Sequence, residues 1–163
     1  MAVFASRSCS RRSDGGAIPR STPPRLRSAA YDLRVIENPA TGEQVEFVSE
    51  SPELLSMVST WTRPGHRAIE HVHPIMEERF EVLAGRAAFR IDGVEIEASP
   101  GTVVIAPPGR RHLAWNPTDE PVQLRIEMRP ALRWREFTTR FFRGDDPVAL
   151  LAEYSDEVQL PPD

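Results

Sequence analysis

The segment PVQLRIEMR alternates strictly. Val122, Leu124, Ile126 and Met128 fall on one side, and Gln123, Arg125, Glu127 and Arg129 fall on the other. This is the period-two pattern of a strand with one buried face. Much of the chain from Tyr31 onward repeats that character in short pieces. YDLRVIE and EQVEFVSE flank NPATG, whose Asn-Pro and Gly predict a hairpin-like connection. ELLSMVSTWTR predicts another strand, ended by Pro64-Gly65. RFEVLAGRAAFRIDGVEIEA reads as strands joined at Asp92-Gly93, a dipeptide suited to a tight type I′ turn. GTVVIAPPG is a short apolar run between Pro-Gly pairs. Many short strands at this spacing predict an all-β sandwich or barrel.

The period changes near the C-terminus. Trp134, Phe137 and Phe141 recur at helical spacing, with arginines and Glu136 opposite and Gly144 as a stop. Asp146 followed by Pro147 predicts a helix start for PVALLAEYSDEV. Both helices are expected to pack on the outside of the barrel or across a dimer contact, with no part in chemistry.

Length and composition narrow the picture. The 163 residues suffice for one domain with a real core. The single cysteine, Cys9, excludes a disulfide framework and a cysteine-ligated metal in the core. Every basic residue is arginine, so Schiff-base lysine chemistry and a phosphate-loop lysine are excluded. Residues 1–30 hold six arginines against one acid and are rich in Ser, Pro and Gly, which predicts a disordered extension. That composition is similar to a transit peptide, but its breaker-rich SDGGAIPRSTPP argues against an amphipathic helix, and a cytoplasmic location is expected. The other 14 arginines and 23 acids make residues 31–163 net acidic, which argues against a nucleic-acid partner. No apolar run approaches a membrane span. The expected organisation is therefore an extension over 1–30, a β-barrel over 31–130 and a helical segment over 131–163.

Candidate chemistry concentrates in GHRAIEHVHPIMEERFEVLAG, residues 65–85, which holds three of the four histidines. His71 and His73 are two apart in an extended segment, so both imidazoles leave one face. With a carboxylate within five residues, they form a metal-ligand arrangement. Strand parity chooses between the two adjacent acids. Glu78 shares a face with Phe80 and Val82, and Glu77 shares the charged face with Arg79 and Glu81. An inward carboxylate is costly unless a positive group meets it, and a metal would. Glu77 is expected to be a solvated charge. His66 lies outside the ligand spacing and is expected at the surface or the mouth of a pocket. Trp61, Met76, Phe89, Trp115 and Met128 can line a pocket, although such residues more often form plain core.

The fourth histidine, His112, lies in GTVVIAPPGRRHLAWN. Here the chain resembles the cupin superfamily. Gly65 to Gly85 fits its first motif: G, five residues, H-x-H, four residues, E, six residues, G. Gly101 to Asn116 fits its second: G, five residues, P-x-G, two residues, H, three residues, N. The motifs stand 15 residues apart and fit at every fixed position. The resemblance implies a cupin jelly-roll β-barrel with C-terminal helices and a metal held by His71, His73, Glu78 and His112. The wider wording is similar to small single-barrel proteins that are more often dimers than monomers. The expected cofactor is one divalent transition metal per chain, Fe(II) first, with Mn, Ni, Zn or Cu as alternatives. The expected function is a mononuclear-metal enzyme of the dioxygenase type acting on a small organic molecule. The alternatives are a metal-dependent isomerase, lyase or cyclase, or a non-catalytic barrel that binds a small molecule or metal.

Overall fold

A computed structural model describes residues 34–161. The extension expected over residues 1–30, Cys9, and the first residues of YDLRVIE lie outside the described residues. Ten strands and two helices follow in order: β1 (Val35–Glu37), β2 (Glu43–Glu50), β3 (Leu55–Trp61), β4 (His71–Val72), β5 (Glu77–Ala84) and β6 (Ala87–Ile91). Next come β7 (Val94–Ala98), β8 (Val103–Ala106), β9 (Arg111–Trp115), β10 (Val122–Arg129), α1 (Trp134–Phe142) and α2 (Pro147–Glu153).

The strands form two antiparallel sheets, six-stranded β1-β2-β3-β10-β5-β8 and four-stranded β4-β9-β6-β7. They pack face to face over a common core, with Phe80 of β5 and Phe89 of β6 5.0 Å apart between ring centroids. This is the jelly-roll arrangement, with the two ladders packed together and not closed into one cylinder.

Sequence pattern accounts for much of this. In β10 Val122, Leu124, Ile126 and Met128 are all buried, and the strand sits between β3 and β5. Such a central strand has no free edge, so its register is fixed on both sides by one apolar face. The NPATG hairpin joins β1 to β2, with the Gly42 N–H donating to the Asn38 carbonyl. Asp92 and Gly93 both have positive φ, 47° and 84°, as a type I′ turn requires. At Gly85 the chain leaves one sheet for the other. Its φ is +76°, and an added Cβ would collide with the Pro121 carbonyl oxygen. Only glycine satisfies both conditions.

The helical segment departs from expectation. The helices form where predicted, and the Asp146 side chain accepts from the Val148 N–H as an N-cap. They do not simply cover an outer face. Trp134, Phe137, Leu150, Tyr154 and Val158 join the common core, and the chain after α2 bridges to β4 through paired Val72–Gln159 backbone hydrogen bonds of 2.9 Å. The segment thus closes one mouth of the double sheet. Helical spacing identifies the face that buries, but not the surface it buries against.

Candidate metal centre and its cavity

Strand pairing brings the ligand candidates together. His71 of β4 lies opposite His112 of β9, and Glu78 of β5 enters from the other sheet. Parity holds in β5: Glu78, Phe80 and Val82 are buried, and Glu77, Arg79 and Glu81 face outward. One ligand atom from each of His71, His73, Glu78 and His112 lies within 4.8 Å of all the others, so the group can hold a metal ion.

Each imidazole is oriented by a backbone carbonyl. His71 Nδ1–H donates to Ile69 O at 2.8 Å, His112 Nδ1–H to Arg110 O at 2.9 Å, and His73 Nδ1–H to Glu157 O. A carbonyl oxygen can only accept, so each Nδ1 carries a proton and each Nε2 is left to face the centre. There Glu78 Oε2 lies 2.9 Å from His112 Nε2, 3.1 Å from His73 Nε2 and 3.8 Å from His71 Nε2. The Nε2 atoms of His71 and His73 are 3.2 Å apart. Lone pairs from three rings and a carboxylate oxygen converging on one point fit a cation. Carbonyl partners on the remote ring nitrogens are the usual outer support of such a site.

The electrostatics agree. Burial alone would raise the Glu78 carboxyl, but the hydrogen bonds that His112, His71 and His73 give it when their rings are doubly protonated outweigh burial and hold it well below the ordinary range. Burial pushes His71 down, with the neighbouring His73 and His112 adding to the effect and Glu78 opposing it. Burial also works against protonated His112, yet its bond to Glu78 wins and raises it above the ordinary value. A strongly ionised carboxylate among imidazoles is a ready cation site.

The centre opens into a cavity of about 370 Å³. That is within the usual size for a small-molecule site. Its walls are mainly apolar, with Met57, Phe80 and Ile126 from the sheets and Trp134, Phe137 and Phe141 from α1. Trp134 meets His73 edge-on at 4.8 Å and stacks on Phe137 at 4.9 Å. Its buried indole Nε1 has no hydrogen-bond partner among the described residues. The helices therefore do more than pack on the outside of the barrel: α1 forms a wall of the cavity.

Other sequence-level candidates separate. His66 is buried and lines the cavity, although it is not one of the converging group. Of the five aromatic and methionine candidates only Trp61 reaches the cavity wall; Met76, Phe89 and Met128 are core. Trp115 carries the guanidinium groups of Arg67 and Arg90 at 5.3 and 6.0 Å. Glu43 of β2 lines the cavity too, and nothing singled it out beforehand. The parity rule that found Glu78 would have found it, because Glu43 shares its strand face with the buried Val45 and Phe47.

Two packed antiparallel sheets around a three-histidine, one-glutamate group, with His71 half-buried and the other three buried, define a small jelly-roll domain with a metal-type site. Residues 62–127 match the cupin domain family. That match and the fold support a small protein of the cupin superfamily. An RmlC-like cupin from Shewanella frigidimarina is 24% identical with a TM-score of 0.54, over 60% of this chain and 84% of that one. An uncharacterised protein with a double-stranded β-helix domain from Klebsiella pneumoniae is 25% identical with a TM-score of 0.53, over 67% of this chain and 92% of that one. KdgF from a Halomonas species is 23% identical with a TM-score of 0.51, over 55% of this chain and 81% of that one. No curated protein is significantly similar to the chain in sequence. Among the described residues no helix is long and apolar enough to cross a membrane.

Proposed function

We propose that His71, His73, Glu78 and His112 hold one divalent transition-metal ion, Fe(II) by preference, and that the protein is a mononuclear-metal oxidoreductase of the dioxygenase type. Its substrate class is a small, largely apolar molecule bearing an enol, phenol or ketone oxygen. The observation that carries this reading is the convergence of three carbonyl-oriented imidazoles and one ionised carboxylate at the end of an apolar cavity.

Three imidazoles and a carboxylate leave room for up to two exchangeable positions on a six-coordinate ion. The ion would supply redox access to dioxygen and polarisation of a bound ligand oxygen. The chain's own residues do the rest. Ile69, Arg110 and Glu157 fix the rings through their carbonyls, so little reorganisation accompanies loading. Trp134 and Phe137 present flat apolar surface to a ligand beside the centre. Beside such apolar walls each polar contact is worth more than in bulk water.

The test is oxygen uptake by the Fe(II)-reconstituted full chain with a panel of phenols, enols and β-diketones. Uptake that depends on one panel member, and is lost in His71→Ala, is expected. Full iron loading with no uptake on any member would overturn the oxidoreductase reading.

A further inference from the structure

The cavity has a second polar group away from the metal-type centre. Glu43 Oε1 accepts from Ser59 Oγ at 2.6 Å and from Trp61 Nε1 at 3.2 Å. Its other oxygen, Oε2, lies 3.5 Å from His66 Nε2, too long for a strong hydrogen bond. The His66 ring lies tilted against Trp61, with 4.7 Å between ring centroids, which limits the movement of both. Glu43, Trp61 and His66 line the same cavity as His71, Glu78 and His112. A carboxylate set inward beside Val45 and Phe47 is costly to bury unless something polar meets it. Ser59 and Trp61 satisfy one of its oxygens and leave the other short of a partner.

The register gives the spacing of the two ends. His112 pairs with His71, Ala114 O takes the Ala68 N–H, and Asn116 N–H donates to His66 O. His66 thus lies four residues along β9 from His112, about 13 Å of strand. Between them the cavity is lined by Ala68 and Ala114, whose small side chains leave the path open. Burial holds His66 below its ordinary pKa, with Glu43 opposing, so burial disfavours positive charge on the ring beside the carboxylate. That end suits a hydrogen-bond donor and repels an anion.

We infer that Glu43 and His66 form a second recognition pole that binds a hydroxyl group at the end of the ligand remote from the metal. The ligand class is then an elongated, flat, apolar molecule with a metal-binding oxygen at one end and a hydroxyl at the other. The inference rests on the metal-site reading above, because it takes that centre as the first pole.

The test uses the full chain loaded with Zn(II), which has no redox chemistry, and a matched pair of probes, benzoylacetone and its 4-hydroxyphenyl analogue. Dissociation constants are measured by calorimetry for the native chain, Glu43→Gln and His66→Leu, with metal content checked for each. The hydroxylated probe is expected to bind the native chain at least about 10-fold more tightly, the effect of one hydrogen bond to a charged acceptor. That preference should fall below about 3-fold in either variant, while benzoylacetone affinity is unchanged. Glu43→Gln keeps an acceptor for Ser59 and Trp61, which guards the fold. Equal affinities in the native chain, or a preference that survives both substitutions, would overturn the inference alone. Failure of both probes to bind the loaded native chain would likewise overturn the inference, whereas failure of the native chain to take up Zn(II) at all would overturn the metal-site reading on which it rests.

Discussion

Arg133 ties the C-terminal segment to the barrel, and its removal tests whether that segment supports the metal-type centre. Its Nε and Nη2 donate to Glu157 at 2.9 and 3.3 Å, Nη2 also reaches Glu153 O at 2.9 Å, and the guanidinium lies 4.4 Å from the Tyr154 ring. The Glu157 side chain is 3% exposed, whereas that of Arg133 is 47% exposed. Breaking a fully buried pair costs about 3–5 kcal/mol; solvent at the arginine end reduces this to about 2 kcal/mol for Arg133→Met. For a domain of this size that corresponds to a fall in Tm of roughly 8 °C. The same residue, Glu157, supplies the carbonyl that orients His73. Loosening it should weaken metal affinity by about 10-fold, the low end for a group that orients a ligand. The double variant Arg133→Met/Glu157→Gln leaves no unpaired buried charge and should recover at least half of the lost Tm. Thermal unfolding and competition with a chromogenic chelator measure the two effects. A Tm loss in Arg133→Met with metal affinity unchanged would refute the coupling.

Protonation and backbone strain yield two more predictions. His112 is raised above 6.5 in the metal-free chain, so its contribution to metal-free stability is full below pH 6.5 and lost as pH rises through the folded value. A cation must displace that proton, so affinity rises with pH and the Tm gap between loaded and metal-free protein should widen from pH 6 to pH 8; a flat or narrowing gap in scanning calorimetry contradicts this. Gly85→Ala should destabilise by about 2 kcal/mol or more, since it combines positive φ with a backbone collision. Gly109→Ala, with φ of +77° and open space around the added Cβ, should cost only the conformational part, about 1 kcal/mol. Equal losses in denaturant unfolding would show that the Pro121 collision does not matter.

The fold and the clustering of His71, His73, Glu78 and His112 were legible because strand alternation and the two cupin-like motifs mark them in the sequence. Alternation in β5 and β10 set which side chains face inward, and that parity separated Glu78 from Glu77. The turn at Asp92-Gly93 and the cap at Asp146 follow from single-residue preferences that no tertiary contact overrides. What stayed hidden depends on where an element lands. The Trp134, Phe137 and Phe141 stripe announced a buried face, yet only the closed chain shows it forming a wall of the metal-type cavity. The carbonyls of Ile69, Arg110 and Glu157 carry no side-chain signal at all, because any residue supplies one. Glu43 was within reach, since its alternation with Val45 and Phe47 matches that of Glu78. It lacked a neighbouring histidine in sequence; His66 joins it only through the pairing of β3 with β2 and the run beside β9.

The most direct test of the central claim is elemental analysis of the full chain purified without added metal, repeated after titration with Fe(II) under anaerobic conditions. One transition-metal ion per chain is expected in the native protein after titration. His112→Ala and Glu78→Ala, still folded by circular dichroism, should hold almost none. No uptake by the native chain, or equal uptake by the folded variants, would contradict the assignment of His71, His73, Glu78 and His112 as the metal site.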